Sequence, residues 1–418
     1  MSEKKNTGKK AVIAVIVIAL IVVIIALVAV ISGKSKKGGS KSATESGTEA
    51  GSETMRSGQF DIDYAKQVTK LADYSGVAIT VSNDYEINDT AKQTYLTNVL
   101  QSYGADAYKQ VTDRDTVADG DYVKVDYTGY KDGKAFDGGS ATDVLLDVTN
   151  NSQVGGSSFI DGFTSFNRSK VGDKVKGDVT FPEDYGNDDL NGQTVTFEYT
   201  VKGIYSADPV ALADMTDEQV NTVFGKAGVT TNAQLTIQIE KDLKQQLYSA
   251  EVDKIKSYMI DNSTVEIPDE YLQARLNEYI ASFTKENVKD GQTLKKYLKS
   301  NYNMTVDQAT EKWKENLTDQ IKTEFIFGLI AEKENIKMDD DAFNSYVDYI
   351  VSASNGQFSK ASEVYKYFGS GHKDEGKTYL KNQYLVNKAI DTVTEKANVT
   401  FEDGSAAPDT SSGSADAE

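Results

Sequence analysis

The chain has 418 residues, no cysteine and one histidine, a composition that excludes disulfides, thiolate metal sites and cysteine nucleophiles. Residues 1–41 hold eight Lys and one Glu, a net of +7 within a total of −19, which leaves −26 on the remainder. A body of that charge repels nucleic acid, and its length suits about two or three domains.

The N-terminal region contains an uncharged run of 21 residues, 11–31, built of Ile, Val, Leu and Ala. This length spans a bilayer as a helix and exceeds the apolar core of a cleaved signal peptide. Lysines flank the run on both sides, so the charges leave its orientation open. We predict an uncleaved single-pass anchor after a short tail, 1–10. No cysteine is present for acylation, and a core helix is disfavoured because the run has no polar face and begins almost at the terminus.

Residues 32–58 are mostly Gly, Ser, Thr, Lys and Glu, a composition that predicts a flexible linker. Folded character resumes at 59. Alternating Val77, Ile79 and Val81 predict a strand. The segment 87–103 predicts a helix that begins at Asn88 or Asp89.

The middle of the chain alternates apolar and polar residues at 123–127 and again at 195–201. This period of two predicts antiparallel strands with one buried face. Between them, apolar residues recur at helical spacing in 160–166. The pattern predicts a sheet folded over one short helix.

From 207 to 402 the pattern is helical, with apolar residues at helical spacing and Thr–Gln pairs that fit helix capping boxes. The single histidine, His372, lies in a polar stretch and is interpreted as a solvated loop residue. Residues 403–418 predict a disordered acidic tail. Most apolar positions should be helix packing, and some aromatic residues are candidates for a client-binding surface instead: Trp313, Phe325, Phe343, Tyr346 and Tyr349.

Five blocks occur in order in the middle region: VDYTGY, DGKAFDGG, FIDGF, FPEDYG and VTFEYTV. Together they resemble the FKBP family of peptidyl-prolyl isomerases, in the version carried inside trigger factor. The segment around 74–100 resembles the last strand and helix of the trigger factor N-terminal domain, without that family's ribosome-docking loop. The helical region resembles the trigger factor C-terminal chaperone domain, most closely at VEIPDEYLQARLNEYI and in 305–341.

The resemblance implies an α+β protein with an N-terminal transmembrane helix, an FKBP-like antiparallel sheet wrapped on a short helix, and an all-α trigger factor/SurA-like chaperone domain. The boundaries that we predict are 1–10 tail, 11–31 anchor, 32–58 linker, 59–114 partial N-terminal-like region, 115–206 isomerase domain, 207–402 chaperone domain and 403–418 tail.

Isomerisation of an X-Pro bond faces a barrier of about 18–20 kcal/mol from amide resonance and needs no nucleophile, metal or cofactor. By resemblance, Phe136, Asp137 and Tyr185 are the catalytic residues. The substrate-binding residues would be Tyr127, Ile160, Phe163 and Phe197. Core packing remains an alternative for Phe197, and turn capping for Asp137.

Two features depart from the family pattern. The apolar run Val144, Leu145 and Leu146 and a long segment after it stand where an aromatic wall and a short Gly turn are usual, and the helix FTSFNRSKVG lacks the acidic residues often seen there. They predict a wider or weaker pocket.

The expected function is an isomerase and chaperone for exported polypeptides at the outer face of the cytoplasmic membrane. The partners would be unfolded or nascent chains and, through the anchor, the membrane, with neither nucleic acid nor ribosome. The rival hypotheses are a holdase whose FKBP domain only binds and a surface adhesion or structural protein. A parvulin-type isomerase is disfavoured because that class centres on paired histidines.

Overall fold

The computed structural model describes residues 55–100, 103, 107–150, 152–154, 166, 168–289 and 291–410. None of the helices formed by these residues is both long and apolar enough to cross a bilayer. The predicted anchor at 11–31 and nearly all of the predicted linker lie outside the described residues.

The described part of the chain contains strands and helices of very unequal length, which we number separately in chain order. The strands are β1 Val68–Lys70, β2 Ala78–Val81, β3 Tyr108–Gln110, β4 Tyr122–Lys131, β5 Lys134–Asp147, β6 Ser152–Gln153, β7 Lys174–Thr180, β8 Thr194–Pro209, β9 Thr264–Val265 and β10 Asn398–Phe401. The helices are α1 Tyr64–Gln67, α2 Asp89–Leu100, α3 Asp217–Phe224, α4 Asn232–Asn262, α5 Asp269–Asn287, α6 Leu294–Tyr302, α7 Val306–Lys333, α8 Asp340–Ala353, α9 Ala361–Phe368 and α10 Lys373–Glu395.

The chain forms two compact units, one of which contains 87–243 and the other 55–86 with 244–410. The first unit is therefore inserted in sequence between the two parts of the second. This division differs from the predicted boundaries, which kept 59–114 together. Strand β2 pairs in parallel with β10, so 55–86 folds with the C-terminal part of the chain.

A six-stranded antiparallel sheet forms the centre of the first unit, in the order β3-β8-β4-β5-β6 with β7 also paired to β8. The predicted alternation is confirmed on both central strands. Val123 and Val125 of β4 are fully buried, and Val195, Phe197, Tyr199 and Val201 of β8 are at most 6% exposed. These side chains form the core on one face of the sheet.

The apolar run of β5 is explained by burial of both sheet faces. Val144 and Leu146 point into the core that contains Phe197, whereas Leu145 packs with α2 and α3 on the opposite face. A strand covered on both sides loses its polar alternation. The run is thus a consequence of the helices packed behind the sheet.

The helix starts follow the predicted capping residues. The Asn88 side chain accepts a hydrogen bond from the Ala91 amide at 2.9 Å, so α2 begins one residue later. The capping boxes of α3 and α7 are confirmed. At α4, Thr231 caps the Gln234 amide, but the Gln234 side chain accepts from Thr230 instead of from Thr231.

Replacement of the residue that caps α7 tests how much the capping box stabilises the helix. Thr305 Oγ1 accepts from the Gln308 amide at 3.2 Å, and the Gln308 side chain accepts from the Thr305 amide at 3.0 Å. We expect Thr305→Ala to lower the free energy of unfolding by about 1 kcal/mol. Calorimetric unfolding measures this, with Thr318→Ala inside the same helix as the control. Equal melting temperatures for Thr305→Ala and wild type would contradict the role of the cap.

Helices build the second unit, and its largest core lies where the C-terminal half of α4 meets α7 and α10. Trp313 and Phe325 on α7 and Phe343 on α8 are each at most 2% exposed. The hypothesis that these three line a client surface is wrong, because they are core residues. Tyr346 and Tyr349 are half-buried.

The C-terminal residues up to 410 differ from the predicted disordered tail. Thr400 bridges Ala406 beside β10. Thr410 is 5% exposed and donates to the buried Glu251 carboxylate at 2.6 Å. Low apolar content favoured disorder, but the strand pairing of β10 and this buried hydrogen bond order the segment.

Candidate active site

The candidate site is built around a bulge in β5. Thr128 pairs with Ser140 and Tyr130 with Ala135, so four residues of β5, 136–139, lie opposite Gly129 alone. Gly138 supplies the positive φ of 78° that the bulge needs. The bulge releases Phe136 from regular pairing.

The Phe136 ring lies between two glycines. A Cβ atom at Gly129 would lie 2.6 Å from Cε1 of this ring, and one at Gly139 would lie 2.6 Å from its Cε2. Real Cβ atoms do not approach so closely, so only glycine fits at either position. The two glycines therefore fix the position of the ring.

Aromatic side chains from two strands and one loop surround Phe136. Its ring centroid lies 6.0 Å from that of Phe197 and 6.4 Å from that of Phe181, both edge-to-face. Phe197 in turn lies 5.8 Å from Tyr127, again edge-to-face. Edge-to-face pairs of this kind add about 0.5–1.5 kcal/mol each beyond simple burial. The cluster is a rigid apolar surface.

The loop that follows β7 places Tyr185 at the edge of this cluster. Gly192 and Tyr185 both donate backbone hydrogen bonds to the Pro182 carbonyl, at 3.1 and 3.2 Å. These bonds close the loop on itself. The Tyr185 ring then lies 4.5 Å from Phe181, and the side chain stays 48% exposed.

Tyr185 lies close enough to Tyr127 to affect the pKa of its hydroxyl. Burial raises the pKa of the Tyr127 hydroxyl, and the neighbouring Tyr185 hydroxyl raises it further. Burial also raises the pKa of Tyr199, which lies 6.0 Å from Tyr127. The Tyr127 and Tyr199 phenols therefore stay neutral near pH 7 and can act as hydrogen-bond donors.

Asp137 does not take part in the aromatic cluster. Its side chain is exposed, and it makes no hydrogen bond or ion pair with any residue that the structure describes. It lies inside the β5 bulge instead of capping a turn. Its proposed role at the polar edge of the pocket remains a prediction.

Two family models match the chain. The model of the FKBP-type peptidyl-prolyl cis-trans isomerase matches residues 114–202. The model of the bacterial trigger factor C-terminus matches residues 230–395. The chain is a trigger factor-like protein with an FKBP-type isomerase domain.

Several curated relatives that match the chain are trigger factors. The trigger factor of Agathobacter rectalis is 28% identical over 330 residues, which cover 78% of this chain and 69% of the relative. The trigger factor of Acetivibrio thermocellus is 26% identical, and the match covers 80% of this chain and 74% of the relative. A trigger factor of Clostridium botulinum is 26% identical, and the match covers 66% of this chain and 62% of the relative. The chain therefore spans less than two thirds of that relative. A solved chain from a study of substrate recognition by the trigger factor chaperone has 17% identity and a TM-score of 0.43, with 78% of this chain and 72% of that one covered.

In this trigger factor-like protein the structure brings together Tyr127, Phe136, Phe197 and Tyr185. Ile160 and Phe163 lie outside the described residues. Phe197 is 6% exposed, so it belongs to the core and to the edge of the site at once. Its two predicted roles are therefore compatible.

Phe181 and Tyr199 also belong to the cluster, although neither was predicted from the sequence as a site residue. Phe181 is the first residue of the FPEDYG block, and its ring joins Phe136 to Tyr185. Tyr199 contacts Phe166 at 5.3 Å and lies beneath Phe197. The alternation of β8 marked Tyr199 as inward-facing, but nothing in the pattern of single residues indicated that Phe181 would turn inward.

Proposed function

We propose that the chain accelerates cis-trans isomerisation of X-Pro bonds in unfolded polypeptides and holds such chains through its helical unit. One observation carries the proposal: the Phe136 ring is held between two glycines, beside an exposed tyrosine that can donate a hydrogen bond. Proteins of the trigger factor family bind unfolded and nascent chains, which supports the second half.

The reaction needs a surface that prefers the twisted amide to either planar form. The Phe136, Phe197 and Tyr127 rings would hold the proline ring and exclude water, which weakens solvation of the planar, more polar amide. The exposed Tyr185 hydroxyl would donate to the carbonyl oxygen as it rotates. No proton is transferred and no covalent bond is formed.

We further propose that the chain is anchored in the cytoplasmic membrane through 11–31, with its folded units outside the cytoplasm, where they act on exported polypeptides. The support is the uncharged run of 21 residues and the absence of a ribosome-docking loop in the sequence. Protease treatment of intact cells tests the orientation. A body that is degraded only after lysis would place the units on the cytoplasmic side.

Substitutions at the site test the enzyme. We expect Phe136→Ala to lower kcat/KM for an X-Pro peptide about 10- to 100-fold, because the packed ring is lost. Tyr185→Phe should lower it about fivefold, the value of one hydrogen bond near 1 kcal/mol. NMR exchange spectroscopy on a short X-Pro peptide measures both effects. Tyr85→Phe, at a tyrosine that is also exposed (38%) but lies in the other unit, is the matched control.

The same set of variants separates the holdase alternative. If the wild-type chain gives no acceleration over background while it still suppresses aggregation of an unfolded client, the FKBP domain only binds. If Phe136→Ala abolishes acceleration and leaves aggregation suppression unchanged, both activities are present and are carried by different units.

A further inference from the structure

The segment 55–62 lies across the helical unit of the chain, and we call it the strap. Its middle, Ser57–Gln59, forms a single 3-10 turn between extended residues Arg56 and Phe60. Two carboxylates hold it, one from α5 and one from α10. Ser57 donates to Glu278 from its amide at 2.9 Å and from its hydroxyl at 2.6 Å.

Arg56 makes the second attachment. Its guanidinium donates to Glu375 on α10 at 2.6 Å from Nη2 and at 3.1 Å from Nε, a fork-like geometry. Four residues later, the Phe60 ring packs edge-to-face on Tyr271 of α5 at 5.5 Å. A cationic side chain and an aromatic side chain thus contact two different helices.

The backbone at Gly58 lies close to α10. A Cβ atom there would lie 2.8 Å from the Glu375 Cβ and 2.9 Å from its Oε2. Any other residue would push the strap off the helix. The contact therefore selects a sequence of the form Arg-x-Gly-x-Phe.

The strap packs on the core through the partly buried Phe60 and Ile62 side chains, whereas its attachment at Arg56 lies at the surface. The Arg56 and Glu375 side chains are 37% and 20% exposed, and ion pairs this exposed stabilise weakly. Beneath the strap a cavity of about 210 Å³ remains, lined on the helix side by Glu324, Tyr379, Asn382 and Gln383. A segment that served only to complete the core would fill this volume.

We propose that this cleft, between Glu278 of α5 and Glu375 of α10, is a peptide-binding site for unfolded segments that present an arginine followed four residues later by an aromatic residue. The strap occupies the site as an internal competitor. The proposal deepens the proposed chaperone function and rests on it.

Displacement of the strap requires only that a client offers the same contacts. A tethered ligand competes at an effective concentration set by its tether, so a weak internal ligand blocks weak clients and yields to multivalent ones. A long unfolded chain that is held at several places meets that condition. A short isolated peptide does not.

The test uses the full chain in lipid nanodiscs and a fluorescent peptide with the sequence of residues 55–64, MRSGQFDIDY. Anisotropy measures its affinity for wild type and for the strap-release variant Arg56→Glu with Ser57→Pro. We expect the release variant to bind the peptide about tenfold more tightly, because the internal competitor is gone. Lys254→Glu, with a charge reversal at an exposed α4 lysine, should bind as wild type does.

Further variants locate the binding. Added to the release variant, Glu278→Gln with Glu375→Gln should abolish peptide binding, and a peptide with valine in place of Gly58 should not bind. Hydrogen exchange at 55–62 should rise in the release variant and stay unchanged in Lys254→Glu. Equal peptide affinity in wild type and release variant, or binding that survives loss of both carboxylates, would overturn the proposal.

Aggregation suppression with an unfolded client distinguishes this proposal from the proposed function. If all variants suppress aggregation equally and the peptide never binds, the chaperone function stands and the cleft proposal fails. If the peptide binds as expected but no variant suppresses aggregation, the cleft binds peptides and the chaperone function fails.

Discussion

Gly129→Ala should lower kcat/KM for an X-Pro peptide about 100-fold while the chain still folds. The new Cβ would lie 2.6 Å from the Phe136 ring and 2.8 Å from the Phe197 ring, both of which belong to the site. Normal carbon contacts are about 3.5–4.0 Å, so both rings must move by about 1 Å. A misplacement of that size at a reacting centre costs about 100-fold in rate. Overpacking should also lower the free energy of unfolding by about 1–3 kcal/mol.

Gly203→Ala on β8 is the matched control, because its Cβ would meet its nearest neighbour, the Tyr205 ring, at 3.2 Å and lies away from Phe136. It should keep kcat/KM within about twofold of wild type. Gly129→Ala combined with Phe136→Leu should regain stability, since the smaller side chain relieves the clash, but not activity. Full activity in a folded Gly129→Ala chain would show that Phe136 is not held for catalysis.

This role of Gly129 could not be predicted from the sequence. The VDYTGY block placed the glycine in the family pattern, and the alternation around it predicted the strands and their buried faces. The contact between Gly129 and Phe136 depends on a bulge of four residues, and hydrophobic period does not predict a bulge. Family motifs thus indicated the residues of the candidate site, whereas the geometry of the Phe136 ring follows from the strand register.

The sequence also did not predict which distant segments fold together. The helices of 207–402 were predicted from their period and caps, and the capping boxes at the starts of α3 and α7 are confirmed. Hydrophobic periodicity predicts the type of one helix or strand, but it does not predict which other element packs or pairs with it. The pairing of β2 with β10, separated by more than 300 residues, therefore had no local signal, and the same holds for the attachment of Arg56 to Glu375.

The ion pair Arg275–Glu324 shows what such long-range contacts contribute to the helical unit. Arg275 on α5 donates to Glu324 on α7 at 2.8 Å from Nη1 and 3.1 Å from Nη2, and both residues are at most 9% exposed. Tyr271 accepts from the same guanidinium at 2.9 Å, and the Tyr379 ring lies 5.4 Å from it. Burial lowers the pKa of Arg275, but the Glu324 carboxylate and the Tyr271 and Tyr379 phenols together more than offset this, so that the pKa rises well above its ordinary value.

We expect Arg275→Met to lower the free energy of unfolding of this unit by about 3–5 kcal/mol, because it leaves the Glu324 carboxylate buried without its cation. Calorimetry should show its melting temperature fall by about 10 °C. Glu324→Leu alone should cost a similar amount, since the guanidinium then stays charged and unpaired.

The double variant Arg275→Met with Glu324→Leu decides what the pair does. Removal of both charges avoids the desolvation penalty, so the double variant should unfold within about 1–2 kcal/mol of wild type. Additive losses in the double-mutant cycle would mean that each residue acts separately. Because Glu324 also lines the cavity beneath the strap, a stable double variant that binds the MRSGQFDIDY peptide less tightly would assign the pair to the cleft as well as to the core.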